Sequence, residues 1–194
     1  MLKSRLFAGF ALLCLVTFLP LSALNIHFVP ILRNGGLSAE SAAGLAALFG
    51  VASLIGQVAS GWMLDRFPAQ RVFATFLLLG VLAIGILLTR PSIVGGTVAA
   101  VAMGLLCGAG PACIAYLCSR DFELRFFGTV LATLGGVMSL SAGLGSAVAG
   151  AMFDRAGSYV PFVIGTLPML VCTILLKLTL GRSAPTGSSP PAAS

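Results

Sequence analysis

Charge is what this chain has least of. Only 8% of its 194 residues are charged, and five are acidic. A soluble domain carries about 25% charged residues because its surface must stay hydrated. A chain this poor in charge cannot cover itself for water, so its main solvent is lipid. One histidine and a handful of carboxylates supply no His/Asp/Glu/Ser constellation and no metal set, which argues against an embedded enzyme and implies no cofactor. Cys14, Cys107, Cys113, Cys118 and Cys172 show no CxxC pairing, so they frame neither disulfides nor a zinc site. They read as small apolar side chains.

What the sequence does have is apolar length. Hydrophobic residues make up 58% of it and mean hydropathy is +1.09. Its 24 glycines suit membrane helices, whose backbones approach closely where side chains are small. Net charge is +6, but the basic residues are scattered singly between apolar segments. That pattern fits a membrane surface and excludes nucleic acid as the partner.

The charges mark the spans. Uncharged gaps predict six helices over about 6–30, 42–64, 72–89, 95–117, 127–152 and 159–180. At about 1.5 Å per residue, even the shortest crosses most of a ~30 Å hydrocarbon layer. The runs are long and unbroken rather than alternating over about ten residues, so helices are expected and a β-barrel is not. The fold class is therefore all-α integral membrane, with residues 1–180 forming one six-helix bundle. The Pro/Ser-rich tail 181–194 is expected to be disordered.

One side of the bilayer receives Lys3, Arg5, Arg66, Arg71, Arg120, Arg125, Lys177 and Arg182; the other receives Arg33, Arg90 and Arg155. The positive-inside rule puts both termini in the cytoplasm, as an even number of spans requires. The first 23 residues also have the layout of a signal peptide, basic then apolar then small. Cleavage would break the charge alternation, so retention is expected. The localisation implied is the inner or plasma membrane, multi-pass.

Two segments match at a fixed offset of 89 residues: GQVASGWMLDR from Gly56 and GSAVAGAMFDR from Gly145. Each closes the second helix of a three-helix set. Consecutive three-helix units run in opposite directions, which is the inverted repeat of many secondary transporters. Ala52, Gly56 and Ser60 recur every four positions, as do Ser141, Gly145 and Ala149. Each trio lies on one helix face and favours close packing.

The segment GWMLDRFPAQR, residues 61–71, resembles the loop signature G-x-x-x-D-R-x-G-R-R of the major facilitator superfamily. Gly61, Asp65 and Arg66 match; Pro68 stands where glycine is usual, and Arg71 follows the replaced basic positions. NIHFVPILRNGGLSAESAAGLAALFG, AYLCSRDFELRFFG and GAMFDRAGSYVPF resemble the seventh, tenth-to-eleventh and eleventh-to-twelfth helix regions of monocarboxylate and oxalate/formate-type members. The likeness spans about residues 8–180. It implies the C-terminal six-helix half of a transporter, a solute path at the midplane, and alternating access against a second six-helix half. That partner is a complementary N-terminal unit or, in a homodimer, another copy. It further implies a gating motif of Gly61, Asp65, Arg66 and Arg71, echoed at the opposite face by Asp154 and Arg155.

Polar residues inside the spans are few, and each is costly in hydrocarbon unless it faces a cavity or a partner. Asn25, His27, Gln57 and Tyr116 are the candidates for a solute path. Histidine, with a reference pKa of about 6.5, can carry a coupled proton; at the end of its span it serves equally as an interfacial anchor. Asn25 and His27 are two apart and cannot face one cavity. Relatives in the resembled branch often place Arg at the position of Gln57 and acids at those of Gly110 and Ala112. No fixed charge remains inside any span. The sequence thus supports a secondary transporter of a small organic solute, of monocarboxylate type by resemblance. It leaves open a degenerate membrane protein that carries nothing or regulates a partner.

Overall fold

The computed structural model describes the backbone of residues 5–89 and 92–181, and side chains over 7–89, 92–120, 122–123 and 125–173. Seven helices follow one another: α1 (Arg5–Ile26), α2 (Phe28–Asn34), α3 (Ala39–Arg66), α4 (Ala69–Leu88), α5 (Ile93–Asp121), α6 (Leu124–Ala156) and α7 (Val160–Gly181). No strand occurs among the described residues.

The boundaries have local causes. Ser38 and Ser92 cap α3 and α5, their hydroxyls accepting from the N–H of Ser41 and Gly95. Pro68 cannot continue α3, so Phe67 turns extended and α4 starts at once. Gly157 ends α6 at φ 63°, in the left-handed region that favours glycine.

The first expected span differs from one continuous helix. It breaks at His27 (φ −93°, ψ 11°) and resumes as α2, running on to Asn34. Pro30 is the physical reason. It has no N–H for the Ile26 carbonyl, and its ring crowds the turn before it. Backbone bonds from His27 N–H to the Ala23 carbonyl and from Ile31 N–H to the His27 carbonyl keep the two pieces nearly in register.

Five helices are long and apolar enough to cross a membrane, over Phe7–Ile26, Ala39–Arg66, Ala69–Leu88, Ile93–Arg120 and Arg125–Ala156. The sixth expected span falls on α7, whose apolar stretch Val160–Thr173 is what the described side chains cover. Residues 182–194, most of the expected tail, lie outside the described residues.

The helices pair in a regular way. α3 packs most extensively on α5, and α1 on α6; α4 then lies against α5, and α7 against α1 and α4. Along the α3–α5 seam, Gly96 meets Leu45, Gly104 meets Phe49 and Ala52, and Gly108 meets Ser53 and Gln57, so these two helices run parallel. Phe10 of α1 touches Phe122 beyond α5, ring centroids 5.5 Å apart, while His27 meets Tyr159 before α7. These contacts define two ends. One carries Arg66, Arg71, Arg120 and Arg125; the other carries Arg33, Arg155 and the His27 break.

The core is apolar: Phe10, Leu24, Leu77, Met103, Ile114 and Leu170 are among its fully buried side chains. Every buried side-chain nitrogen or oxygen among the described residues has a partner. The outer faces are apolar too. α3 exposes Val51, Leu54, Ile55, Val58 and Trp62, and α6 exposes Leu140, Leu144 and Val148. In water such faces would drive association; in lipid they are the ordinary surface.

Candidate functional site

At the end marked by the helix break, three segments converge on His27. Its ring is half-buried between α1 and α6. Nε2 lies 3.2 Å from the Ser146 carbonyl and 3.5 Å from the Ser146 hydroxyl. Nδ1 lies 3.2 Å from the Tyr159 hydroxyl. A carbonyl can only accept, so Nε2 carries a hydrogen, and in the neutral ring Nδ1 accepts from Tyr159. Tyr159 in turn stacks on Phe153, centroids 4.4 Å apart, which fixes its ring. Burial and then the Asp154 carboxylate push the Tyr159 phenol above its ordinary pKa, so it stays a hydrogen-bond donor. Below it, Asn34 donates to the Gly157 carbonyl at 3.5 Å. Ile31, Asn34, Leu87, Ser158, Tyr159 and Val163 line a cleft of about 100 Å³ between α2, α4 and α7.

The four polar residues singled out as path candidates do not meet. Asn25 and Gln57 are exposed on α1 and α3, and Tyr116 is half-buried at the opposite end under Arg120, whose guanidinium is 5.9 Å from the ring. His27 alone has a built environment. Tyr159 and Ser146 were not singled out from sequence. A signal existed: the single histidine and one of only two tyrosines stand at the ends of expected spans on the same face.

The Asp-Arg pair of the first motif lies apart from this junction. Asp65 sits at the C-terminal end of α3 and is exposed. Arg66 lies over Trp62, 4.2 Å from the ring centroid. Among the described residues the one ion pair within 4 Å is Arg125–Glu123 at 3.8 Å, with both side chains exposed. Gly61 and Arg71 flank the same turn. Asp154 and Arg155 are exposed at the other end, beside Tyr159 in sequence.

Behind both motifs, the trios of small residues are buried: Ala52, Gly56 and Ser60 against α5, Ser141, Gly145 and Ala149 on α6. A Cβ on Gly56 would strike the backbone of Leu105, and one on Gly145 the carbonyl of Leu19. Matched positions of the two segments thus do matched work, each letting a motif-bearing helix touch a neighbour's backbone.

Two comparisons with known proteins bear on this arrangement. A gallate transporter from Pseudomonas putida is 27% identical over 135 residues, covering 68% of this chain and 30% of that transporter. The chain therefore matches under a third of the relative's length. The Major Facilitator Superfamily profile matches residues 4–194, essentially the whole sequence. With its apolar helices and motif-bearing loops, this multi-pass membrane protein belongs to the Major Facilitator Superfamily.

Proposed function

We propose that the chain is a six-helix unit of a secondary transporter that moves a small organic solute, of monocarboxylate type, by alternating access against a second six-helix unit. The carrying observation is the pair of helices that the bundle leaves uncovered. α3 and α6 are the least buried of the long helices, at 28% and 17% over their most apolar windows. Each seats a narrow stripe that includes its small-residue trio, joined by Leu45 and Phe49 on α3 and by Val130 and Leu134 on α6, and turns the opposite face outward. The faces differ in kind: α3 offers large side chains such as Leu54, Val58 and Trp62, whereas α6 offers Gly136, Ser139, Gly143 and Ala147 between its leucines. A bulky face on one unit fits a small-residue face on the other.

The pairing of α1 with α6 and of α5 with α3 supports two inverted three-helix repeats, with residues 1–180 as one bundle and both termini on the side of Arg66 and Arg120. The likeness to a gallate transporter supports a carboxylate solute, since gallate is itself a monocarboxylate. In this reading Gly61, Asp65, Arg66 and Arg71 gate one face, and Asp154 and Arg155 the other. Asn25 and Gln57, exposed toward the second unit, line the path, and the cell membrane is the site of action.

A second reading is favoured by one observation: among the described side chains, the helix interiors hold no charge to bind an anion. Under it the protein folds in the membrane and carries no solute. Reconstitution in liposomes separates the two. The chain alone, and with any complementary six-helix unit, is tested against labelled gallate and other carboxylates, with the mass of the assembly measured. Saturable uptake by a two-unit assembly is expected; no uptake by either preparation overturns the transport reading.

A further inference from the structure

The geometry points to His27 as a proton-operated latch: taking up a proton reverses its hydrogen bond with Tyr159 and tightens the helix break against α6 and α7. The inference deepens the transporter reading and rests on it for its consequence, though not for its test.

The bond directions carry the argument. In the neutral ring Nε2–H donates to the Ser146 carbonyl and Nδ1 accepts from the Tyr159 hydroxyl. The other neutral tautomer would set two lone pairs face to face at 3.2 Å, against the Ser146 carbonyl. When Nδ1 takes a proton from water, both nitrogens become donors. Nε2 keeps its bond to Ser146. Nδ1–H now donates to the Tyr159 oxygen, which has room to accept once its own hydrogen turns away. No bond is lost and both gain charge assistance, which roughly doubles the strength of each. The freed phenolic hydrogen turns toward the Ser158 and Asn34 side of the cleft, or toward the Asp154 carboxylate whose field Tyr159 feels.

The position makes this reversal mechanical. His27 is the residue at which the first span breaks, and its partners sit on α6 and on the link before α7. A stronger tie there pins α2 to the end of α6, where Asn34 already holds the Gly157 carbonyl. A weaker tie frees α2 to swing about a turn that Pro30 has already opened. Among the described residues, the charged side chains at this end are Arg33 on α2, Glu40 on α3, and Asp154 and Arg155 on α6, all exposed. Tyr159 is the titratable group in contact with the imidazole. Acid is expected to hold this end shut, and neutral pH to release it.

The chain has one histidine, so ¹⁵N-histidine labelling reports on His27 alone in a tag-free sample in lipid nanodiscs. Spectra from about pH 5 to about pH 8 are expected to show the Nε2–H tautomer giving way to imidazolium. Tyr159→Phe is expected to lower the midpoint by roughly half a pH unit, because the cation loses a charge-assisted acceptor. Spin labels at Arg33→Cys and Val148→Cys, both exposed, in a background without native cysteines, are expected to narrow their distance distribution as pH falls. His27→Gln, which can still donate to Ser146 and accept from Tyr159, is expected to fold and to abolish that narrowing. An Nδ1–H neutral tautomer, a midpoint unmoved by Tyr159→Phe, or narrowing that persists in His27→Gln would overturn the latch. None of these readouts involves a solute, so a failed uptake assay and a failed latch are separate results.

Discussion

Gly145 of α6 lies directly against the backbone carbonyl of Leu19 in α1, so close that a Cβ there would overlap it. Gly56 of α3 stands in the same relation to the backbone of Leu105 in α5. Backbone cannot move aside as a flexible side chain can, so even one methyl group forces the helices apart. Gly145→Ala and Gly56→Ala are each expected to cost about 1–3 kcal/mol through overpacking. Gly150, five positions on from Gly145, faces open space, and Gly150→Ala is expected to be neutral or slightly stabilising. Thermal unfolding of the three variants in detergent decides this; equal midpoints would mean that the α1–α6 seam is looser than described.

Much of this was legible because lipid imposes a simple rule. Uncharged length alone placed α3 to α6 within a few residues, since in hydrocarbon every backbone group must be satisfied inside its own helix. The four-residue spacing of Ala52, Gly56 and Ser60 named their buried face. The break at His27 was not read, although Pro30 was visible three residues on, because a proline in a membrane helix as often only bends it. The His27 junction was missed for a different reason. His27 and Tyr159 are far apart in sequence, and only the packing of α1 on α6 brings them together. The gating role of Asp65 came from resemblance, whereas the seat of Arg66 over Trp62, one turn back on its own helix, is set by packing.

Thr17 and Thr173 make a buried hydrogen bond of 3.2 Å between α1 and α7, and Thr173 donates onward to the Met169 carbonyl. The order of the chain sets an asymmetry. Thr17→Val removes a donor and leaves Thr173 still bonded to its own helix. Thr173→Val strips the Thr17 hydroxyl of its acceptor in a buried place. The first is expected to cost about 0.5–1 kcal/mol and the second more. A double variant close to Thr17→Val alone would confirm that the penalty comes from the orphaned hydroxyl. Detergent unfolding of all three measures it.

Asp65 is exposed at the end of α3, and its neighbour Arg66 is held over Trp62. If the carboxylate works only in one access state, its loss leaves the described state untouched. Asp65→Asn is therefore expected to insert and unfold like the parent while solute exchange falls at least severalfold. Trp62→Leu is expected to free Arg66 without removing either charge, and so to change exchange less. Unchanged exchange by Asp65→Asn would take this residue out of the gate.

Tyr159 carries a pH dependence whose sign follows from its surroundings. Burial, then Asp154, raises its phenol above the ordinary value of about 10. Below that ordinary value the folded and unfolded chains are both protonated, and Tyr159 adds no slope. As pH rises past it, the unfolded chain loses the phenolic proton first while the folded chain still holds it. The native state then binds more protons, so stability falls with pH until the raised folded value is passed. Unfolding midpoints in detergent between about pH 8 and about pH 11 are expected to drop more steeply for the parent than for Tyr159→Phe. Asp154→Asn, which removes the smaller of the two causes, is expected to lie between them. If the parent and Tyr159→Phe fall in parallel, the phenol is not held in its protonated form, and the hydrogen bond it gives to His27 loses its support.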